Sequence, residues 1–145
     1  MPDRETIERA QEDAREGKSP STQAGEFVRE EMHHIREGKH GAASTKQAIA
    51  IGLSKARRSG VKLAARGSAS TRKKAQQDTQ ASRSQRKPSA TRSRATSKAL
   101  KREPRSAASH TALSRQAKST AKKRSASARS QSAKKAAHTR SRKAA

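Results

Sequence analysis

The sequence predicts an all-α protein: a small helical N-terminal module of two to three helices over residues 1–66, with its core in 19–63, followed by a long intrinsically disordered basic tail over 67–145. Three observations predict it. Of the thirteen Val, Ile, Leu, Met and Phe residues, eleven lie at or before Leu63, and they recur at helical spacing. All seven glycines lie at or before Gly67, so the turn punctuation ends where the apolar residues end. Over residues 67–145, Ala, Ser, Thr, Lys and Arg account for 64 of 79 residues, a low-complexity composition with too little apolar surface to offset chain entropy.

The first helix is predicted from Asp3, as cap, to about Glu16, with Gly17 as its stop and Ile7, Ala10 and Ala14 as a narrow apolar strip. The second starts near SPSTQAGEF, capped by Ser19 before Pro20 or by Thr22, and ends at Gly38. Ala24, Val28, Met32 and Ile35 fall within one arc with Phe27 beside it, while Glu26, Arg29, His33 and Arg36 take the other side. The third, STKQAIAIGLSKARRSG over 44–60, opens on a capping box of Ser44 and Gln47. Gly60 closes it, and Val61 stands where a Schellman motif makes its apolar contact.

That third helix is apolar on two sides. Ile49, Gly52, Leu53 and Ala56 form one stripe, and Ile51 lies nearly opposite, close to Arg58. A helix of this kind is sandwiched between neighbours, and Gly52 permits a close crossing. The expected cover for the second side is the first helix or another subunit. A DNA-reading helix-turn-helix fits less well, because the connection GKHGAA has six residues rather than three or four. After Pro104 the chain has no Gly or Pro and abundant Ala, so residues 105–140 are expected to become helical on binding a polyanion, once phosphates remove the like-charge repulsion.

Charge carries the functional signal. Lys and Arg number 36 against 12 acids, a formal net charge of +24. Residues 1–37 hold ten of those acids and six basic residues, whereas the remainder carries thirty basic residues and two acids. An acidic head with a basic tail points to a polyanion partner. With no Trp or Tyr and a single Phe there is no platform for stacking unpaired bases, which favours double-stranded DNA over single strands. The expected phosphate contacts begin at the head with Lys55, Arg57, Arg58, Lys62 and Arg66. They continue through Arg72, Lys73, Lys74, Arg86, Lys87, Arg92 and Arg94, then Lys101, Arg102, Lys122, Lys123 and Arg124. Lys134, Lys135, Arg140, Arg142 and Lys143 complete the set.

Other chemistries are disfavoured. The chain has no Cys, which removes thiolate metal sites and cysteine nucleophiles. His33, His34 and His40 are expected to be solvated helix-face residues, so no metal and no cofactor is assigned. Nearly all Ser residues lie in the tail without a rigid shell around them, and no enzyme activity is expected. No apolar run approaches the roughly 20 residues of a membrane span. The expected location is cytoplasmic and nucleoid-associated, with no membrane or small-molecule partner, and with a protein partner or a second copy completing the head.

The stretch GEFVREEMHHIREGKHGAASTKQAIAIGLSKARRSGVKL resembles the shared domain of a family of small uncharacterised bacterial proteins, in which such a core precedes a Lys/Ala-rich tail. The likeness covers about residues 19–63, and ALKREPRSAASHTALSRQAKSTAKKRSASARS also resembles tails found with it. Members are often labelled DNA-binding, so the resemblance implies that role and carries over no catalytic or ligand residue. In composition the tail is also similar to linker-histone tails and bacterial histone-like proteins. It departs from them in having only Pro88 and Pro104 and no Ser-Pro-Lys-Lys repeats. The function expected is therefore that of a histone-like protein contacting duplex phosphates without sequence specificity. The alternatives are an adaptor whose head docks a protein partner and whose tail tethers it to nucleic acid, and an RNA- or ribosome-associated factor.

Overall fold

The computed structural model describes residues 1–84 and 89–144. Among them every regular element is helical: α1 (Arg4–Arg15), α2 (Pro20–Arg36), α3 (Thr45–Arg58), α4 (Ala69–Arg83), α5 (Ala90–Arg102), a 3-10 turn (Arg105–Ala108), α6 (His110–Lys122) and α7 (Ala126–Ala144). The chain divides into two compact units, Met1–Ser109 and His110–Ala145.

The three expected helices form with local chemistry close to that read from the sequence. α1, α2 and α3 stop at Gly17, Gly38 and Gly60, each at positive φ. At the start of α3 the Ser44 Oγ accepts from the Gln47 N–H at 3.2 Å, and Gln47 Oε1 accepts from the Ala43 N–H, one residue further back than a standard box. At its end the Val61 N–H reaches the Ala56 carbonyl at 3.0 Å, and Val61 joins Ala10, Ala24, Phe27 and Ala56 in the core. Ile7, Leu53 and Leu63 pack against that cluster from its edge. Asp3 and Ser19 stand at the caps of α1 and α2 but give no side-chain cap bond. The Asp3 carboxylate is drawn instead to His34 Nε2 at 3.1 Å, a long-range hydrogen bond that local reading cannot anticipate.

Gly52 sets the α2–α3 crossing. A Cβ there would lie 2.7 Å from Val28 Cα, so the two backbones meet at this point and any side chain would push them apart.

Beyond residue 66 the structure differs from the expected disordered tail: the described residues are largely helical, and the segment 67–109 belongs to the same unit as the head. Three contacts hold it. Asp78 on α4, almost wholly buried, accepts from Ser54 Oγ at 2.8 Å and from Arg58 Nε at 3.0 Å. Ser54 and Arg58 lie on the face of α3 that bears Ile51, so that side is approached by α4 rather than by α1 or a second subunit. The 3-10 turn docks through its carbonyls, with Thr45 Oγ1 donating to Ala107 at 2.6 Å and Arg36 Nε to Ala108 at 2.9 Å. Between them the Gly41 N–H bonds the Leu100 carbonyl at 2.8 Å and the Ala42 N–H bonds the Pro104 carbonyl at 3.1 Å. Gly41 is required there by space, because a Cβ would overlap the Glu103 carbonyl.

Small residues make this docking possible. Ala42 and Ala48 of the head and Ala75, Ala107 and Ala108 of the tail are all buried, so three alanines counted as tail composition act as packing residues where backbones come close. Replacing Asp78 by Ala strands Ser54 and Arg58, and since Arg58 is half-exposed the cost is set at about 1–2 kcal/mol. α4 amides should then exchange with solvent about tenfold faster, and unchanged exchange would show that Asp78 does not hold the helix.

Candidate nucleic-acid interface

The expected phosphate-binding residues separate by what they touch. Lys55 is turned inward. Its Nζ lies 2.9 Å from Glu30 Oε1 and 2.8 Å from Glu31 Oε2, both on buried glutamates of α2. Burial pushes the Lys55 ammonium down, but the contacts to Glu31 and Glu30 outweigh it and hold its pKa above the ordinary value. Lys55 is thus committed to the fold and leaves the set of candidate contacts. Arg58 is engaged by Asp78.

Arg57, Lys62, Arg66 and Lys74 converge on one feature. They rim a cleft of about 880 Å³ whose floor is built from Pro20, Ala50, Leu53, Leu63, Ala64 and Ala75. Arg57 Nε is buried with no hydrogen-bond partner. Arg72 and Lys73 are exposed on α4 nearby in sequence.

On α5 no residue is buried, and one side gathers cations at helical spacing. Arg94, Lys98, Lys101 and Arg102, with Ser93 and Ser97, line a shallow groove. Arg92 is exposed on the same helix. Lys98 was not singled out from the sequence, although its i, i+4 spacing from Arg94 is the signal that would have found it.

The second unit is basic throughout. Residues 110–145 contain eleven Lys or Arg and no acid. α6 has no buried residue, and Arg115, Lys118 and Lys122 follow one another at i, i+3 and i+7 along one face. Lys123, Lys134, Lys135, Arg140 and Arg142 are exposed. Arg124, also exposed, donates to the Ala128 carbonyl at 3.0 Å and to Ser132 Oγ, a local contact across the start of α7. Arg86 and Lys87 lie outside the described residues, as does the side chain of Lys143.

The histidines correct the sequence reading. His33 is exposed as expected, but the side chains of His34 and His40 are only 12% and 17% exposed and turn toward the buried carboxylates. His34 presents Nε2 to Asp3 Oδ2 at 3.1 Å and Nδ1 to Glu30 Oε1 at 3.8 Å. The hydrogen bond to His34 holds the Asp3 carboxyl below its usual range. His40 presents Nε2 to Glu31 Oε1 at 3.0 Å. Glu31 therefore has a nitrogen beside each oxygen, the Lys55 ammonium at Oε2 and the His40 imidazole at Oε1, yet neither contact is aligned as a hydrogen bond. The buried acids Glu30 and Glu31 of α2 find their partners far along the chain, in Lys55 of α3, in the Asp3 N–H and in His40 of the loop that follows α2.

Fold and surface define a small basic protein, all-helical among the described residues, with a tightly crossed α2–α3 pair in its first unit. Residues 17–66 match a family of unknown function, DUF6496. That span takes in α2, α3, the Gly-bearing connection between them and the Gly60–Val61 stop, including Gly41, Gly52 and Lys55. No curated protein and no solved structure matches the chain. No helix among the described residues is long and apolar enough to cross a membrane.

Proposed function

We propose that the protein is a histone-like, nucleoid-associated DNA-binding protein of the cytoplasm, which coats duplex DNA through its phosphates without reading sequence. The observation that carries this reading is the unit after Ser109, with eleven cations, no acid and an almost wholly exposed set of described side chains. Each Lys or Arg that meets a phosphate releases condensed counterion, which gives affinity without sequence information. On the first unit, the α5 groove and the basic residues lining the cleft offer further cations.

With no apolar core of their own, α6 and α7 depend on local propensity against like-charge repulsion. In this reading they are conformationally open in the free protein and settle as helices on the duplex, the long basic tail acting much as those of linker histones. No catalytic step is assigned.

One observation favours the adaptor as a second reading: an apolar cleft rimmed by Arg57, Lys62, Arg66 and Lys74 suits an acidic amphipathic segment of a protein partner.

Filter binding of the full chain tests the leading reading. Two duplexes of unrelated sequence should bind within about threefold of each other, because a sequence reader loses roughly fivefold or more for one mismatched pair. Equal retention of a neutral polymer would overturn it, and preference for structured RNA would move the protein to the RNA-associated class.

A further inference from the structure

We propose that His34, His40 and Glu31 form a binding site for a divalent transition-metal ion of the zinc and cobalt class, set between α2 and the loop that leads to α3. One ligating atom from each of the three lies within 4.8 Å of the other two. Donors around such an ion stand roughly 3.3 Å apart, given metal–ligand distances of about 2.0–2.2 Å, so shifts of at most about 1.5 Å bring the three into a three-ligand site with one position left for water.

The hydrogen bonding at His40 points to a cation. His40 Nδ1 is 3.0 Å from the Gly41 carbonyl, which can only accept, so Nδ1 carries a hydrogen. In the neutral ring, Nε2 is then a bare lone pair, and it faces Glu31 Oε1, another acceptor, at 3.0 Å. Two acceptors held face to face are reconciled by a positive species between them, a metal ion or a proton, and the test below separates the two. Glu31 is fully buried, Lys55 neutralises it from the Oε2 side, and Oε1 has no aligned hydrogen bond. A ring N–H donated to a backbone carbonyl is also the support that metal-ligating histidines use, and Asp3 gives His34 the carboxylate version of it at 3.1 Å.

Charge agrees. Glu30 and Glu31, two buried carboxylates, share the single ammonium of Lys55, which leaves one negative charge between them beside two imidazoles. Lys55 occupies Oε2 of Glu31 and leaves Oε1 to the ion. A donor set of imidazole and carboxylate without thiolate suits zinc, cobalt, nickel or copper rather than calcium.

The test is titration of the chelator-stripped full-length chain with Co²⁺ and then Zn²⁺. One Co²⁺ per chain should bind with visible absorption of a nitrogen-ligated ion, and Zn²⁺ should displace it. His34→Gln and His40→Gln should each weaken binding tenfold or more, while His33→Gln and His138→Gln, which alter exposed histidines, should not. Absence of the absorption in the wild-type chain would overturn the proposal whatever the variants do, leaving protonated imidazoles as the cations. Binding unaffected in folded His34 and His40 variants, or lost in the His33 or His138 variants, would overturn it equally.

Discussion

Raising salt from 50 to 200 mM should weaken the binding of the full chain to duplex DNA by about 10⁵-fold or more. If about 10 to 20 cations meet phosphates, the slope of log affinity against log salt is on the order of −9 to −18. Removing Lys55 and Arg58 from the set leaves this range intact, because the second unit alone supplies eleven basic residues and α5 adds an exposed stripe. A slope shallower than about −4 would mean that roughly four or fewer phosphates are engaged, and the dense cationic surface would then need another purpose.

Lys55→Met should come close to unfolding the head. Lys55 is the shared partner of Glu30 and Glu31, whose side chains are 3% and 1% exposed, and its loss leaves two buried carboxylates without their ammonium. Removing one partner of a buried ion pair costs about 3–5 kcal/mol. That is a large share of the roughly 5–15 kcal/mol available to a small domain. Adding Glu30→Gln and Glu31→Gln should restore much of the stability, since neutral amides carry no unpaired charge. The pH dependence has a definite sign. The Lys55 pKa is raised on folding, so its contribution is fully present below the ordinary 10.5 and fades as pH climbs past that value. Thermal unfolding followed by circular dichroism reads both effects. A variant that melts like the wild type but loses DNA affinity would return Lys55 to the phosphate-binding set.

The helices of the head were legible because their ends are written locally: Ser44 with Gln47, Gly60 with Val61, and the glycines at the other two stops are neighbours in sequence. The close crossing at Gly52 was legible too, since a glycine in the middle of an apolar stripe has few other uses. The docking of 67–109 was not. It depends on single residues whose partners lie far along the chain, such as Asp78 with Ser54 and Arg58, or Gly41 with the backbone of Leu100 and Glu103. Both acids after Glu37 fall at these junctions, Asp78 by its side chain and Glu103 by its backbone. A charge count records them as two exceptions in a basic run, whereas three-dimensional placement makes one a staple. Lys55 shows the same limit from the other side. Nothing in its neighbourhood distinguishes it from Arg57, yet one turns toward buried glutamates and the other toward the cleft.

Hydrogen exchange on the full chain, alone and saturated with duplex DNA, tests most directly the claim that a folded head through Ser109 carries an exposed cationic surface that meets the duplex. α1–α4 should be protected in both states, and DNA should add protection to α5, α6 and α7. Protection gained in α1 and α2 instead, or no gain anywhere under saturating DNA, would contradict it.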